Sequence, residues 1–271
     1  MAIVTISRGT FSGGKAVAEG LAAHLGYPCI GREDIIRDAV RDFDVTESDI
    51  NALMVKQSSF RQRAQRKRQA CLNYFKAALL AKAEDGNIVY HGHAVQFLLG
   101  NIKGVLRVRI NADNEYRIAR AMQEHSIDRD QAIAKIAIDD KQSVKSTRLV
   151  YGIEWNDPMI HDVIFTLDTF TVPNVVSILS QMTELEAFTP DETSRQTFKN
   201  LQLQSLVWAA LAKDKRTWAA GVQVEADKAH ITVKGSVGSK HIRNEILAVV
   251  ANVPGVKGVT SQMGIGSNWL W

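Results

Sequence analysis

The chain opens on a β-branched run, Ile3-Val4-Thr5-Ile6, which breaks into Gly9-Thr10-Phe11-Ser12-Gly13-Gly14 and then into an alanine-rich helical pattern from Val17 to Leu25. Beyond it, short apolar runs keep alternating with 3.6-residue stripes. Tyr27-Pro28-Cys29-Ile30 is one such run, and a helix is predicted from Arg32 to Phe43. A long helical stretch covers Ser48 to Glu84, and Asp85-Gly86-Asn87 marks a turn. Ile88-Val89-Tyr90 reads as a strand ending at His91-Gly92-His93. In the next strand, Leu106, Val108 and Ile110 take one face while Arg107 and Arg109 take the other. Helices over 114–124 and 128–148, a strand from Val163 to Leu167 and a helix over 172–183 complete the series. This alternation predicts an α/β fold, a parallel sheet with helices on both faces. Ligands of such sheets bind beyond the carboxyl ends of the strands, here the loops after Ile6, Ile30, Tyr90 and Ile110.

The pattern changes after residue 183. A polar stretch containing Pro190 reads as a linker over 184–196, dividing a domain at 1–183 from a second at 197–271. The second begins with an amphipathic helix from Phe198 to Ala212. A strand from Val222 to Ala226, a turn at Asp227-Lys228 and a return strand from His230 to Lys234 follow. A helix from Ser239 to Asn252 and a strand from Val256 to Met263 complete a small α+β unit of αββαβ order.

Composition narrows the chemistry. The 271 residues are 45% hydrophobic and 23% charged, ordinary for a globular chain with one large and one small core. A net charge of +4 suits anionic ligands such as nucleotides. The block Arg61, Arg63, Arg66, Lys67, Arg68 reads equally as a solvated helix face or as a phosphate or partner surface. With only Phe60 beside it, it lacks the interleaved aromatics that stack bases, which argues against nucleic acid. Cys29 and Cys71 are too few for a disulfide framework or a zinc site. His91 and His93 have no third ligand clustered with them, so no metal site is expected. Neither a signal peptide nor a membrane-length apolar stretch is seen, and a cytoplasmic location is expected. Trp269 and Trp271 are expected to pack against the protein's own surface. The oligomeric state is not legible.

The first strand, glycine loop and helix form the arrangement that places backbone N–H groups and a helix N-terminus around a phosphate. Gly9 to Gly14-Lys15 satisfies all of G-x-x-x-x-G-K-[ST] except the last position, where Ala16 lacks a hydroxyl for Mg²⁺. The expected phosphate-binding residues are Gly9, Ser12, Gly13, Gly14, Lys15 and Ala16.

On these residues, with His91-Gly92-His93-Ala94, Arg117, Asp140-Lys141, and Trp155-Asn156-Asp157-Pro158 before Asp162-Val163-Ile164, the chain over about 1–182 resembles the cytidylate kinase-like family of P-loop nucleoside monophosphate kinases. The resemblance implies a P-loop NTPase-type sheet and phosphoryl transfer from ATP with Mg²⁺ to a CMP-like acceptor. In that reading Lys15 reaches the β/γ oxygens, and Lys141, Lys145 and Arg148 close as a lid. Arg37, Gly92, His93 and Arg117 hold the acceptor, with Arg107 and Arg109 as weaker candidates taken to face solvent at a sheet edge. The chain departs from the family pattern at Ala16, Gly31, His93, Ser143 and Thr166. Each lost charge-assisted contact is worth about 1.5–3 kcal/mol. These departures support an alternative, a catalytically weak nucleotide sensor signalling through the second domain. Val222 to Val233, Gly235-Ser236-Val237 and Val253-Pro254-Gly255-Val256-Lys257-Gly258-Val259 resemble a BON domain. That likeness implies a regulatory module with a protein or phospholipid partner.

Overall fold

The computed structural model describes residues 2–55, 62–92, 95–100 and 102–266, and of 52–55, 62–64 and 150 the backbone alone. His93, Ala94, Arg61, Trp269 and Trp271 lie outside the described residues. The chain divides into two compact units, one of residues 1–35 and 85–194, the other of 36–84 and 195–271.

The first unit is built on five parallel strands: β1 (Ile3–Arg8), β2 (Cys29–Gly31), β3 (Ile88–Gly92), β4 (Val105–Asn111) and β5 (Val163–Thr166), in the order β2-β3-β1-β4-β5. α1 (Gly14–Leu25) joins β1 to β2. After β2, α2 (Arg32–Phe43), α3 (Glu47–Val55) and α4 (Gln62–Lys82) precede β3. The short α5 (Gln96–Leu99), then α6 (Asn114–His125), α7 (Arg129–Tyr151) and α8 (Val172–Thr183) fill the later connections. One face of the sheet is apolar: Val4, Ile6, Val89, Leu106, Val108, Ile110 and Phe165 pack on Val17, Leu21 and Ala22 of α1 and Val175 and Leu179 of α8. Each fully buried leucine- or valine-sized side chain contributes roughly 1.5–3 kcal/mol of transfer free energy.

The opposite face is apolar at Ile3, Ile88 and Val105 and becomes polar toward the carboxyl ends of the strands. Register places Thr5 beside Tyr90 and Arg107, and Ser7 beside Gly92 and Arg109, so these side chains share one surface. β4 lies between β1 and β5, which corrects the placement of Arg107 and Arg109 at a sheet edge. The period-two pattern separates inward from outward positions, but an outward position on an interior strand still points into the protein. Asp162 holds Arg107 through its backbone N–H (2.7 Å) and its guanidinium (3.1 and 2.7 Å). That cation is committed to anchoring β5.

His161, buried on the same unit, meets the Gln96 side chain at 3.2 Å. Burial, aided by the charges of Arg109 and Arg107, pushes its imidazole down to about 4. The unfolded chain therefore binds a proton that the folded chain refuses between about pH 6.5 and 4. His161 thus favours folding fully above about 6.5 and loses up to about 3 kcal/mol as pH falls to 4. Urea midpoints at pH 7 and 4.5 should fall more steeply in the wild type than in His161→Gln. Equal slopes would show that the imidazole is not held neutral.

The second unit carries α9 (Glu192–Lys213), β6 (Gln223–Asp227), β7 (His230–Val237), α10 (Lys240–Ala251) and β8 (Gly258–Ile265). β6 and β7 form an antiparallel hairpin, and β8 pairs parallel with β7 after the α10 crossover. Leu203, Val207, Leu211, Ile231, Val233, Ile246 and Val250 form its core. α9 starts at Glu192, earlier than the expected Phe198, because Asp191 accepts from the Ser194 backbone N–H at 2.8 Å and caps the helix. Helices over 36–84 belong to this unit: the Lys82 ammonium pairs with Asp38 at 3.0 Å, and the Lys213 ammonium donates to the Asp42 carbonyl at 3.2 Å. Phe43 stacks on Tyr74 at 5.1 Å between centroids. Of the basic block, Arg66 and Lys67 are exposed on α4. No helix among the described residues is long and apolar enough to cross a membrane.

Candidate phosphate-binding site

β1 delivers the chain at Arg8 to the carboxyl edge of the sheet, where the glycine loop turns it back into α1. The Gly9 N–H donates to the Ile110 carbonyl at 3.3 Å and the Ser12 N–H to the Gly9 carbonyl at 3.2 Å, tying the loop to β4 and to itself. Phe11 (φ 59°) and Gly13 (φ 79°) are left-handed. Such a backbone gathers N–H groups toward an anion. Gly13 is the N-cap of α1 and supplies no side-chain acceptor, which leaves the N–H groups of the first turn for a ligand. A Cβ on Gly13 would fall 2.6 Å from Leu167 Cδ1 and 2.8 Å from the Tyr116 hydroxyl, and one on Gly14 would fall 2.6 Å from Arg8 Cβ. Both glycines are required by space, and Gly13 also by φ.

Lys15 stands in the first turn of α1, exposed, its ammonium 3.7 Å from Glu19. An exposed pair of this kind is worth at most about 1 kcal/mol, so it yields to a phosphate. The loop borders two cavities. One, of about 490 Å³, is lined by Gly13, Gly14, Lys15, Ala16 and Arg120 among others. The other, of about 330 Å³, is lined by Gly9, Ser12, Arg109, Arg117, Asp140 and Trp155 among others.

Arg117 clamps the second cavity. Its Nε donates to the Thr10 carbonyl at 2.8 Å and its Nη2 to Asp140 at 2.7 Å, joining the loop, α6 and α7. Arg109 donates to Asn111 Oδ1 at 2.8 Å and to the Trp155 carbonyl at 2.7 Å, with its guanidinium 4.6 Å from the Trp155 ring centroid. Burial, with Arg117 adding to it, lowers its pKa from the ordinary guanidinium value. Two guanidiniums held beside Gly9 and Ser12 can neutralise phosphate oxygens. Asn111 and Trp155 escaped the sequence reading as site residues, and Arg109 entered it only as a weaker candidate. The alternation in β4 was the available signal for Arg109, once its strand is known to be interior.

The remaining expected residues are placed as follows. His91 is the penultimate residue of β3 and is buried, its pKa lowered by burial and by Arg8. Gly31 is close-packed: a Cβ there would fall 2.9 Å from Glu33 Oε2 and 3.2 Å from His91 Cε1, which excludes an acidic side chain without rearrangement. Gly92 is buried on β3. Arg37 is exposed on α2, within the second unit. Lys141, Lys145 and Arg148 are exposed on α7, Arg148 pairing with Glu154 at 3.4 Å, while Asp140 and Val144 of that helix line the cavity. Ser143 accepts at its carbonyl from Thr147, and Thr166 pairs with Asn111 between β5 and β4. Among the described residues no three His, Cys, Asp or Glu side chains gather, and Ala16 has no hydroxyl, so a magnesium ion would be held chiefly by the phosphates of a bound nucleotide, with Asp140 the carboxylate that lines the cavity.

The model of the cytidylate kinase-like family matches residues 3–169. The chain belongs to the cytidylate kinase-like family. A BON domain matches residues 200–266. A cytidylate kinase from Methanocaldococcus jannaschii is 28% identical over 100 residues, covering 36% of this chain and 56% of that protein. A cytidylate kinase from Methanopyrus kandleri is 20% identical over 185 residues, covering 65% of this chain and 90% of that one. The chain thus spans little more than half the length of the first of these relatives. A crystal structure of an uncharacterized protein from Eubacterium ventriosum superposes with a TM-score of 0.51 at 18% identity, over 67% of this chain and 98% of the other. That likeness concerns the fold. Family membership agrees with the strand order and with the loop between β1 and α1, which the glycines had already marked.

Proposed function

We propose that the first unit is an ATP-dependent phosphotransferase acting on a CMP-like nucleoside monophosphate. The observation that carries this reading is the loop itself: a left-handed glycine N-cap with no side-chain partner, Lys15 in the first turn, and cavities on both sides. Phosphoryl transfer asks the protein mainly to position two ligands and neutralise charge. The loop N–H groups and Lys15 hold the donor phosphates. Arg117 and Arg109 supply positive charge at the second cavity, and Gly92, His93 and Arg37 are proposed for the acceptor. The relatives named cytidylate kinase support CMP as the acceptor to test first. Coupled assay of ADP formation should show turnover that depends on CMP and falls at least about 100-fold in Lys15→Ala. ATP binding without CMP-dependent ADP formation would instead support a nucleotide sensor acting through the BON domain. That second reading is favoured by Ala16, Gly31 and Ser143, each of which lacks a side chain that the family pattern carries.

A further inference from the structure

The sheet of the second unit has two edges, and they are built differently. β6 is five residues long; Gln204 of α9 donates to its Val224 carbonyl at 2.5 Å, and its exposed Glu225 pairs with Lys234 at 2.6 Å. A short, charged edge whose backbone is taken up by a helix is protected against further pairing. β8 is eight residues long, Gly258-Val259-Thr260-Ser261-Gln262-Met263-Gly264-Ile265, and carries neither charge nor proline. Thr260, Ser261, Gln262, Gly264 and Ile265 are exposed, and among the described residues no strand pairs with its outer side. A long, uncharged, open edge is a template for another strand.

The ladder fixes which backbone groups that edge offers. The Gly266 N–H donates to the Val237 carbonyl at 3.2 Å, in step with the β7–β8 register. Even-numbered residues of β8 therefore turn their N–H and C=O toward β7, and Val259, Ser261, Met263 and Ile265 turn theirs outward. The Met263 N–H, so placed, reaches the Ser261 hydroxyl at 3.4 Å, the long end of hydrogen-bond range. The same four residues share the side-chain face on which Met263 and Val259 join the core of the unit. Two β8 strands running antiparallel keep like faces together only when an odd-numbered residue meets an odd-numbered one. Centring the pair on Gln262 sets Val259 opposite Ile265 and Ser261 opposite Met263, so all four residues pair their outward N–H and C=O groups. Ile265, 43% exposed, gains a β-branched neighbour. Gln262 meets its own copy amide to amide, and no like charges are opposed. An uncharged strand cannot select a foreign segment by charge, whereas it matches a second copy of itself at every position.

We propose that the chain dimerises by antiparallel pairing of β8 with β8 of a second copy about a twofold axis at Gln262. The two three-stranded sheets become one sheet in the order β6-β7-β8-β8-β7-β6, with its only free edges at the protected β6 strands. The proposal is independent of the phosphotransferase reading.

The test is sedimentation equilibrium of the full chain, which should show a reversible dimer. Gln262→Lys and Gln262→Glu set like charges face to face across the axis, in a non-hydrogen-bonded pair with Cα atoms about 4.5 Å apart. Each variant alone should raise the dissociation constant at least about 10-fold. An equimolar mixture of the two sets lysine against glutamate and should restore the dimer. Because Gln262 is exposed, circular dichroism of both variants should match the wild type. Ser261→Pro removes an outward N–H while leaving the β7 ladder whole, and should also give monomers. A wild type that is monomeric at every concentration would overturn the proposal and leave the edge to an extended segment of another protein. A dimer that survives both charged variants, or a mixture that stays monomeric, would overturn it as well.

Discussion

Gly13→Ala is expected to abolish nucleotide binding and to destabilise the first unit. The left-handed φ of 79° at this position costs an alanine about 1–2 kcal/mol. Its Cβ would also stand 2.6 Å from Leu167 Cδ1, a side chain in the sheet core, and 2.8 Å from the Tyr116 hydroxyl. Relieving that overlap costs about 1–3 kcal/mol more. The sum lowers the unfolding temperature by roughly 4–20 °C for a unit of this size. The loop must shift to make room, and its N–H groups shift with it, so ATP affinity falls at least about 100-fold. Gly26→Ala is the control. Gly26 has a similar φ of 68° with nothing near a Cβ, so it shows the backbone cost alone with ATP affinity unchanged. Calorimetry and thermal unfolding of both variants separate strain from the loss of the site.

Arg117→Ala is expected to reduce kcat/KM for ATP by about 100- to 1000-fold. Its guanidinium is mostly buried and bonds both the Thr10 carbonyl and Asp140. Each such charge-assisted bond is worth about 1.5–3 kcal/mol, and the variant also leaves Asp140 facing the cavity without its partner. The negative charge then opposes a phosphate that Arg117 attracted. Arg117→Lys keeps the charge but cannot hold both partners, so it recovers only part of the loss. The double variant Arg117→Ala, Asp140→Asn removes the stranded carboxylate and should recover affinity for ATP without restoring the clamp. Steady-state kinetics on the three variants checks this order. Equal activity in all of them would remove Arg117 from the site.

Local features carried most of what could be read before the structure. The break from Ile3-Val4-Thr5-Ile6 into glycines, followed by an alanine-rich helix, identified the strand–loop–helix unit, because its left-handed, close-packed turn requires glycine at Gly13. The parallel sheet was legible from alternation. Its strand order was not, since pairing of β1 with both β3 and β4 joins segments far apart in the chain. The role of Arg109 depended on that order. The early start of α9 was missed because Asp191 and Ser194 read as polar linker residues, whereas their hydrogen bond is a helix cap.

The most direct test of the account is calorimetric titration of ATP into the wild-type chain, Gly13→Ala and Gly26→Ala. The account predicts micromolar binding to the wild type, the same binding to Gly26→Ala and none to Gly13→Ala. No binding to the wild type, or equal binding to all three, would contradict the claim that this loop is a nucleotide phosphate site.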